Sequence, residues 1–163
     1  MKGTNLFTLA RICVLTLMVG LLPLGLSAQQ ADGCIGFWKT VDDETKEVKS
    51  VVQIYKSGNK YQGKVVKLYR LPGEDPNPIC DLCDEDDSRY NKPVLGMVVL
   101  TDLEWDASDN EWDDGEILDP QNGSVYDCYI TLEGKDKMKV RGFLGLSLLG
   151  RTQYWYRVED PNK

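Results

Sequence analysis

The feature that most constrains the fold is a series of short alternating segments, separated by turn sequences, that begins near residue 35. In residues 60–71, for example, Tyr61, Gly63 and Val65 alternate with Gln62, Lys64 and Val66. Such alternation over about four to eight residues is typical of half-buried β-strands. The turn at 119–123 ends in Asn-Gly, which supplies the positive φ angles of a tight hairpin. We predict strands over residues 35–41, 51–56, 60–71, 94–103, 112–118, 124–132, 137–143 and 151–158.

Short strands joined by hairpin turns, with no long amphipathic helix, predict an all-β antiparallel meander. A meander of roughly eight strands can close into a β-barrel that holds one small ligand, and closure removes the edge strands. A β-sandwich is the structural alternative. The Pro- and Asp-rich segment 72–93 is predicted to be irregular, either a functional lid or a loop that is fastened down.

The N-terminal segment has the pattern of a secretory signal peptide. Lys2 and Arg11 precede an apolar run over residues 12–26, which is short for a membrane span of about 20 residues. We predict cleavage after Ala28, so that residues 1–28 are removed and residues 29–163 form one β-barrel domain. An uncleaved N-terminal anchor is the alternative. The prediction implies export to the periplasm or the extracellular space, with no transmembrane segment in the mature chain.

Charge and composition exclude several classes of function. Residues 29–163 carry 26 acidic and 17 basic side chains, a net charge of −9, whereas nucleic acids and anionic lipids need cationic surfaces. The chain has no histidine, which removes His-activated nucleophiles, His acid–base catalysis and His-ligated zinc. These observations argue against nucleic-acid binding and disfavour an enzyme, although carboxylate or cysteine chemistry remains open. The acidic segments 81–87 and 106–111 could bind calcium, but we interpret them as solvated loops, and we predict no metal and no cofactor.

Four cysteines follow the predicted cleavage site, namely Cys34, Cys80, Cys83 and Cys128. Export to an oxidising compartment predicts disulfides, and four cysteines allow three pairings. The simplest complete pairing joins Cys80 to Cys83 and Cys34 to Cys128. A bond from Cys80 or Cys83 to Cys128 would instead pin the long loop onto the barrel. A redox centre or a four-thiolate zinc site is the functional alternative, but the context favours neither.

Several motifs in sequence order carry a resemblance to a known family. They are Gly-Phe-Trp at 36–38, Tyr-Gln-Gly-Lys at 61–64, Cys-Asp-Leu-Cys at 80–83, the segment 115–123 and the glycine-punctuated run 140–157. Together they resemble the exported bacterial domain-of-unknown-function 2147 family over nearly the whole mature chain. The resemblance implies a periplasmic or secreted bacterial protein with a calycin-like (lipocalin-type) β-barrel, and it implies no activity.

The resemblance to calycins also implies a structural pair. Calycins begin with Gly-x-Trp and bring an arginine of the last strand across the indole, and Trp38 and Arg157 are the matching residues. A guanidinium over an indole contributes about 0.5–2 kcal/mol, depending on exposure. The pair would join the first and last strands.

These expectations lead to two hypotheses about function. The first is a non-enzymatic barrel that binds a small apolar or amphipathic ligand, with Tyr61, Tyr126 and Tyr154 lining the cavity and Arg141 or Arg151 orienting an anionic group. The alternative is a structural or protein-interaction module with a filled barrel. For the apolar segment 143–149 we favour a core or plug role over an exposed lip.

Overall fold

The computed structural model describes residues 30–163, in which eight antiparallel strands follow one another around a closed barrel. A short 3-10 helix, Asp32–Cys34, precedes them. The strands are β1 (Gly36–Val41), β2 (Val48–Ser57), β3 (Lys60–Leu68), β4 (Val98–Asp106), β5 (Glu111–Asp119), β6 (Ser124–Leu132), β7 (Lys137–Phe143) and β8 (Gly150–Val158). The predicted signal peptide lies outside the described residues.

Pairing between β1 and β8 closes the sheet, with Trp38 opposite Arg157 in the register. This pairing confirms the predicted barrel and excludes the sandwich. The predicted fourth strand, 94–103, was placed too early, because Gly96 and Met97 bond to Val65 outside the regular ladder and β4 starts only at Val98. The predicted third strand was too long, since β3 ends at Leu68.

The antiparallel order gives the barrel two different ends. The closed end carries the 3-10 helix and the tight hairpins that follow β2, β4 and β6. The open end carries the hairpin after β5 and three loops, over residues 42–47, 69–97 and 144–149. The long connections therefore all lie at one end.

Large side chains fill the closed half of the barrel. Its fully buried members come from seven of the eight strands and pack into one cluster: Trp38, Ile54, Tyr61, Leu100, Leu103, Trp112, Ile130 and Met138. Each such side chain contributes about 1.5–3 kcal/mol by leaving water. Most of the hydrophobic stabilisation therefore lies away from the open end.

Three of these aromatic side chains also hold the segment that covers the closed end. The indole of Trp38 donates to the Cys34 carbonyl (2.8 Å), and the indole of Trp112 donates to the Ala31 carbonyl (2.9 Å). The Tyr61 hydroxyl donates to the Asp32 carboxylate (3.0 Å). Since buried N–H and O–H groups need partners, these bonds satisfy the core aromatics and fix the cover at the same time.

Arg157 forms the contact with Trp38 that the family resemblance implies. Its guanidinium carbon lies 4.1 Å from the centre of the indole ring. The same group donates to three backbone carbonyls, those of Gly33 (2.7 Å), Ile35 (2.9 Å) and Lys135 (2.7 Å). One side chain thus ties together the 3-10 helix, the start of β1 and the hairpin before β7.

Only one of the two disulfides in the simplest pairing is present among the described residues. Cys80 is bonded to Cys83, whereas Cys34 and Cys128 are free and buried. The backbone of Gly33 packs against Leu132, and Cys128 lies four residues before Leu132 on β6. Four strand residues span roughly 13 Å, well beyond the Cα separation of about 4.4–6.8 Å that a disulfide needs.

Candidate functional site

The open half of the barrel encloses a cavity of about 810 Å³. Its walls are inward-facing side chains of the strands, and its rim is formed by the loops of the open end. The volume falls within the range of about 300–1,000 Å³ that is typical of small-molecule sites. The interior of this barrel is therefore filled in one half only. Side chains pack the closed half, and the open half is a cavity that opens to solvent at the rim.

Apolar side chains make up the deep part of the cavity. They alternate along their strands with outward-facing residues, as the period of two in a β-strand requires. The deep wall includes Val52, Val65, Val99, Val140 and Trp155, which are all at most 5% exposed. Such a surface favours an apolar ligand group over water.

Two polar pairs interrupt this apolar wall. Thr40 on β1 and Ser50 on β2 face each other with their hydroxyl oxygens 2.8 Å apart. On β8, the Trp155 indole donates to the side-chain oxygen of Gln153 (3.1 Å). Among residues 30–163 the Gln153 amide nitrogen donates to no protein group, so this donor remains for a ligand or water. The cavity can therefore accept hydrogen-bonding groups as well as apolar ones.

Arg151 lies at the rim, at the start of β8, and is held there by carboxylates of the 42–47 loop. Its guanidinium is 2.5 Å from Asp43 and 3.5 Å from Asp42, with Glu44 at 3.8 Å. The hydrogen bond from Arg151 lowers the pKa of Asp43, and the same bond raises the pKa of Arg151. The charge of this arginine is thus already compensated within the protein.

The long 69–97 loop crosses part of the mouth and is fastened to the barrel. Pro78, Ile79 and Asp81 line the cavity from this loop. The Cys80–Cys83 bond folds the loop tightly, and both sulfurs are buried. The backbone of Gly123 in the β5–β6 hairpin contacts the backbone of Leu82 and Cys83 in this loop. The expectation of a fastened loop thus agrees with the structure.

The 144–149 loop forms an exposed apolar lip, and the favoured core or plug role is wrong. Leu144, Leu146, Leu148 and Leu149 are 66%, 70%, 86% and 73% exposed. The segment is neither a strand nor a helix that enters the barrel, because the chain leaves β7 at Phe143 and returns at Gly150. Leu144 and Leu149 nevertheless line the cavity, so the lip continues the apolar wall outward.

Arg141 supports this lip from the outside and does not line the cavity. Its guanidinium donates to the carbonyls of Ser147 (2.8 Å) and Leu148 (3.2 Å) and to the Thr152 hydroxyl (2.8 Å). Because all three partners belong to the lip or to β8, the side chain braces the loop. The structure therefore gives Arg141 a structural contact in place of the predicted ligand contact.

The three candidate tyrosines are placed differently. Tyr126 lines the cavity, and its hydroxyl accepts from the Asn122 side chain (3.4 Å). Tyr61 is buried in the core of the closed half, and Tyr154 is 39% exposed with Lys137 over its ring (4.0 Å). Of the five candidate ligand residues, Tyr126 and Arg151 thus lie at the cavity, and the other three do not.

Sequence reasoning missed Trp155, Gln153 and the Thr40–Ser50 pair. The signal for the first two was available in the alternation of β8. If Arg157 faces Trp38, then residues 155, 153 and 151 share that face, and residues 154 and 156 point outward. The alternation along β8 therefore predicts that Trp155, and not Tyr154, faces the cavity.

Residues 30–163 contain neither a cluster of metal-ligating side chains nor a candidate membrane-spanning helix. No group of three or more His, Cys, Asp or Glu side chains there is arranged to hold a metal ion. Nor does any helix in that range have the length and apolar character that crossing a membrane requires.

Comparisons with known proteins agree with the fold and name no activity. A family model described as "Uncharacterized protein conserved in bacteria (DUF2147)" matches residues 36–157. A solved structure described as "Protein HP1028 from the human pathogen Helicobacter pylori belongs to the lipocalin family" is similar, with a TM-score of 0.64 and 16% sequence identity over 78% of this chain and 84% of that chain. At that identity the similarity shows the fold alone. No curated protein matches the sequence.

Proposed function

The chain belongs to the DUF2147 family of bacterial proteins, and on that premise we propose that it is an exported, non-enzymatic barrel that binds a small apolar or amphipathic ligand. The observation that carries this proposal is the cavity of about 810 Å³ with an apolar floor and a wide mouth. Wall valines and Trp155 would hold the apolar part of the ligand, and Gln153 offers a free donor near it. The lipocalin-type architecture supports the same conclusion.

Filling the cavity tests this function directly. We would purify the wild type and Val140→Trp and titrate each with N-phenyl-1-naphthylamine, an uncharged fluorescent apolar probe. Val140 is buried and lines the cavity, so an indole there takes up space that the ligand needs. We expect saturable binding by the wild type and a loss of about tenfold or more in Val140→Trp.

Thr131→Trp is the matched control, because Thr131 lies on β6 next to the partner of Val140 and faces outward. It should bind the probe like the wild type. Circular dichroism and melting would show that both variants fold. Equal binding by a folded Val140→Trp would refute the cavity as the site. In a separate experiment, native mass spectrometry of the protein purified from its own cell fraction would identify a natural ligand that co-purifies with it.

Export is the second part of the proposal. The basic and apolar pattern of residues 2–28 and the Cys80–Cys83 bond support it, since disulfides persist in oxidising compartments. Cell fractionation should place the protein in the periplasm or the medium, with a mature N-terminus at Gln29. Recovery of full-length protein in the cytoplasm would contradict export.

The exposed leucines of the lip favour a second candidate function, a protein-interaction module. Leu146 and Leu148 do not line the cavity and would contact an apolar surface on another envelope protein. Leu146→Asp should abolish such a contact and leave probe binding unchanged. An unchanged set of crosslinked neighbours in Leu146→Asp would count against this candidate.

A further inference from the structure

The open end of the barrel holds most of the excess negative charge of the protein. The loops 42–47, 69–97 and 144–149 contain 11 acidic and four basic side chains, a net charge of −7. The whole of residues 29–163 has a net charge of −9. Among the charged residues of the open end, those that line the cavity itself are four acidic and three basic side chains, namely Asp42, Glu74, Asp81, Asp119, Lys49, Arg70 and Arg151.

Each of the three cations that line the cavity is paired with a carboxylate of the open end, so each of these pairs is close to neutral toward a ligand. Arg151 contacts the carboxylates of the 42–47 loop, Lys49 contacts Glu47 (2.6 Å) and Arg70 contacts Glu74 (3.4 Å). A paired guanidinium or ammonium has little left to offer an anion unless the internal pair is broken. Arg151 could therefore orient an anionic group only if its pairs with the 42–47 loop were broken.

Among residues 30–163, two carboxylates of the lining form no ion pair, those of Asp81 and Asp119, and Asp119 accepts hydrogen bonds from its own hairpin. Asp81 lines the cavity from the 69–97 loop, and among residues 30–163 it forms neither an ion pair nor a side-chain hydrogen bond. Its position beside an apolar cavity is suited to a positive charge carried by an apolar molecule. Tyr126 also lines the cavity, and aromatic rings attract quaternary ammonium groups through their π faces.

We infer that the cavity selects amphiphiles with a cationic polar group, accepts uncharged ones less well and disfavours anionic ones. The apolar tail lies against the valine wall and Trp155, and the cationic group remains at the rim near Asp81. Unpaired charge of one sign in a low-dielectric cleft concentrates ligands of the opposite charge. This inference rests on the proposed ligand-binding function and specifies its ligand class.

Three probes with the same twelve-carbon chain test the inference. They are dodecyltrimethylammonium, dodecyl maltoside and dodecanoate, each used below its micelle concentration to displace N-phenyl-1-naphthylamine. At low salt we expect the cation to bind about tenfold or more tightly than the anion, with the maltoside between them. In roughly 0.5 M salt the difference should shrink to within about threefold, because exposed charges are then screened.

Asp81→Asn should reduce the preference for the cation by about threefold, as expected for loss of one charge near the ligand. Asp109→Asn is the matched control, because it removes the same charge from the β4–β5 hairpin at the closed end. It should leave the preference unchanged. Equal or tighter binding of dodecanoate would overturn the inference while the cavity function stands. Failure of all three probes and of the naphthylamine would refute both.

Discussion

Replacing Gly123 by alanine should loosen the long loop at the mouth of the barrel. Gly123 has a φ of +73°, and a Cβ atom there would lie 1.7 Å from the Leu82 carbonyl oxygen. The chain offers a matched control in Gly58, which sits in the β2–β3 hairpin with a φ of +64° and no heavy atom within 4 Å of an added Cβ. Both substitutions place an alanine in a left-handed backbone conformation, but only the one at residue 123 brings the new Cβ atom into overlap with a neighbouring carbonyl.

The expected loss of unfolding free energy follows from the backbone strain and the steric overlap. A left-handed backbone costs an L residue about 1–2 kcal/mol, and the loss of glycine freedom in the unfolded chain returns about 0.4–1 kcal/mol. Gly58→Ala should therefore destabilise by about 1 kcal/mol. In Gly123→Ala the Leu82 carbonyl must also move by about 1.5 Å to reach ordinary contact. Overpacking of this kind costs about 1–3 kcal/mol, so we expect a total of about 3 kcal/mol.

Urea unfolding under non-reducing conditions would measure both variants, and limited proteolysis would report on the loop itself. We expect a midpoint shift two to three times larger for Gly123→Ala, with new cleavage within residues 69–97 in that variant alone. Equal destabilisation of the two variants, with no added cleavage, would show that the hairpin does not hold the loop.

Two further predictions concern the charged contacts. Arg157→Lys keeps the charge but loses the guanidinium that donates to three carbonyls, so the free energy of unfolding in urea should fall by about 1–3 kcal/mol. A fall of less than about 0.5 kcal/mol would contradict a stabilising role for these hydrogen bonds. The pKa of Asp43 is lowered below 3.8 by Arg151, so its contribution to stability is present above that value and is lost as the pH falls through the folded pKa. The difference in unfolding free energy between the wild type and Asp43→Asn should accordingly shrink as the pH falls from about 5 to about 2. A difference that stays constant over this range would refute the stabilising effect of the contact between Asp43 and Arg151.

The strand count and the antiparallel order were predictable, because they depend on local patterns, whereas the closure between β1 and β8 was implied by the family resemblance. Alternation of period two and turn sequences such as Asn122-Gly123 act within a few residues. The same locality explains the misplaced fourth strand. Residues 94–97 have the apolar composition of a strand, and only their contact with Val65, about thirty residues earlier in sequence, gives them an irregular path.

The site was less predictable because it depends on which partners each polar group finds. Arg141 and Arg151 flank the same apolar segment, yet Arg141 bonds the lip and Arg151 bonds the 42–47 loop. No local pattern distinguishes the two. The lip could not be assigned either, since the period of residues 143–149 fits a strand or a helix, and the absence of a partner strand decides its exposure.

The two free thiols affect how such a chain folds. Before the barrel closes, Cys34 and Cys128 are as accessible as Cys80 and Cys83, and oxidation at that stage can trap a non-native bond. Once the core forms, burial raises the pKa of Cys34 and of Cys128 to about 12, which leaves almost no thiolate to react. The yield of refolded protein should therefore depend on whether the core forms before the thiols are oxidised. The short spacing of Cys80 and Cys83 favours early formation of the native disulfide.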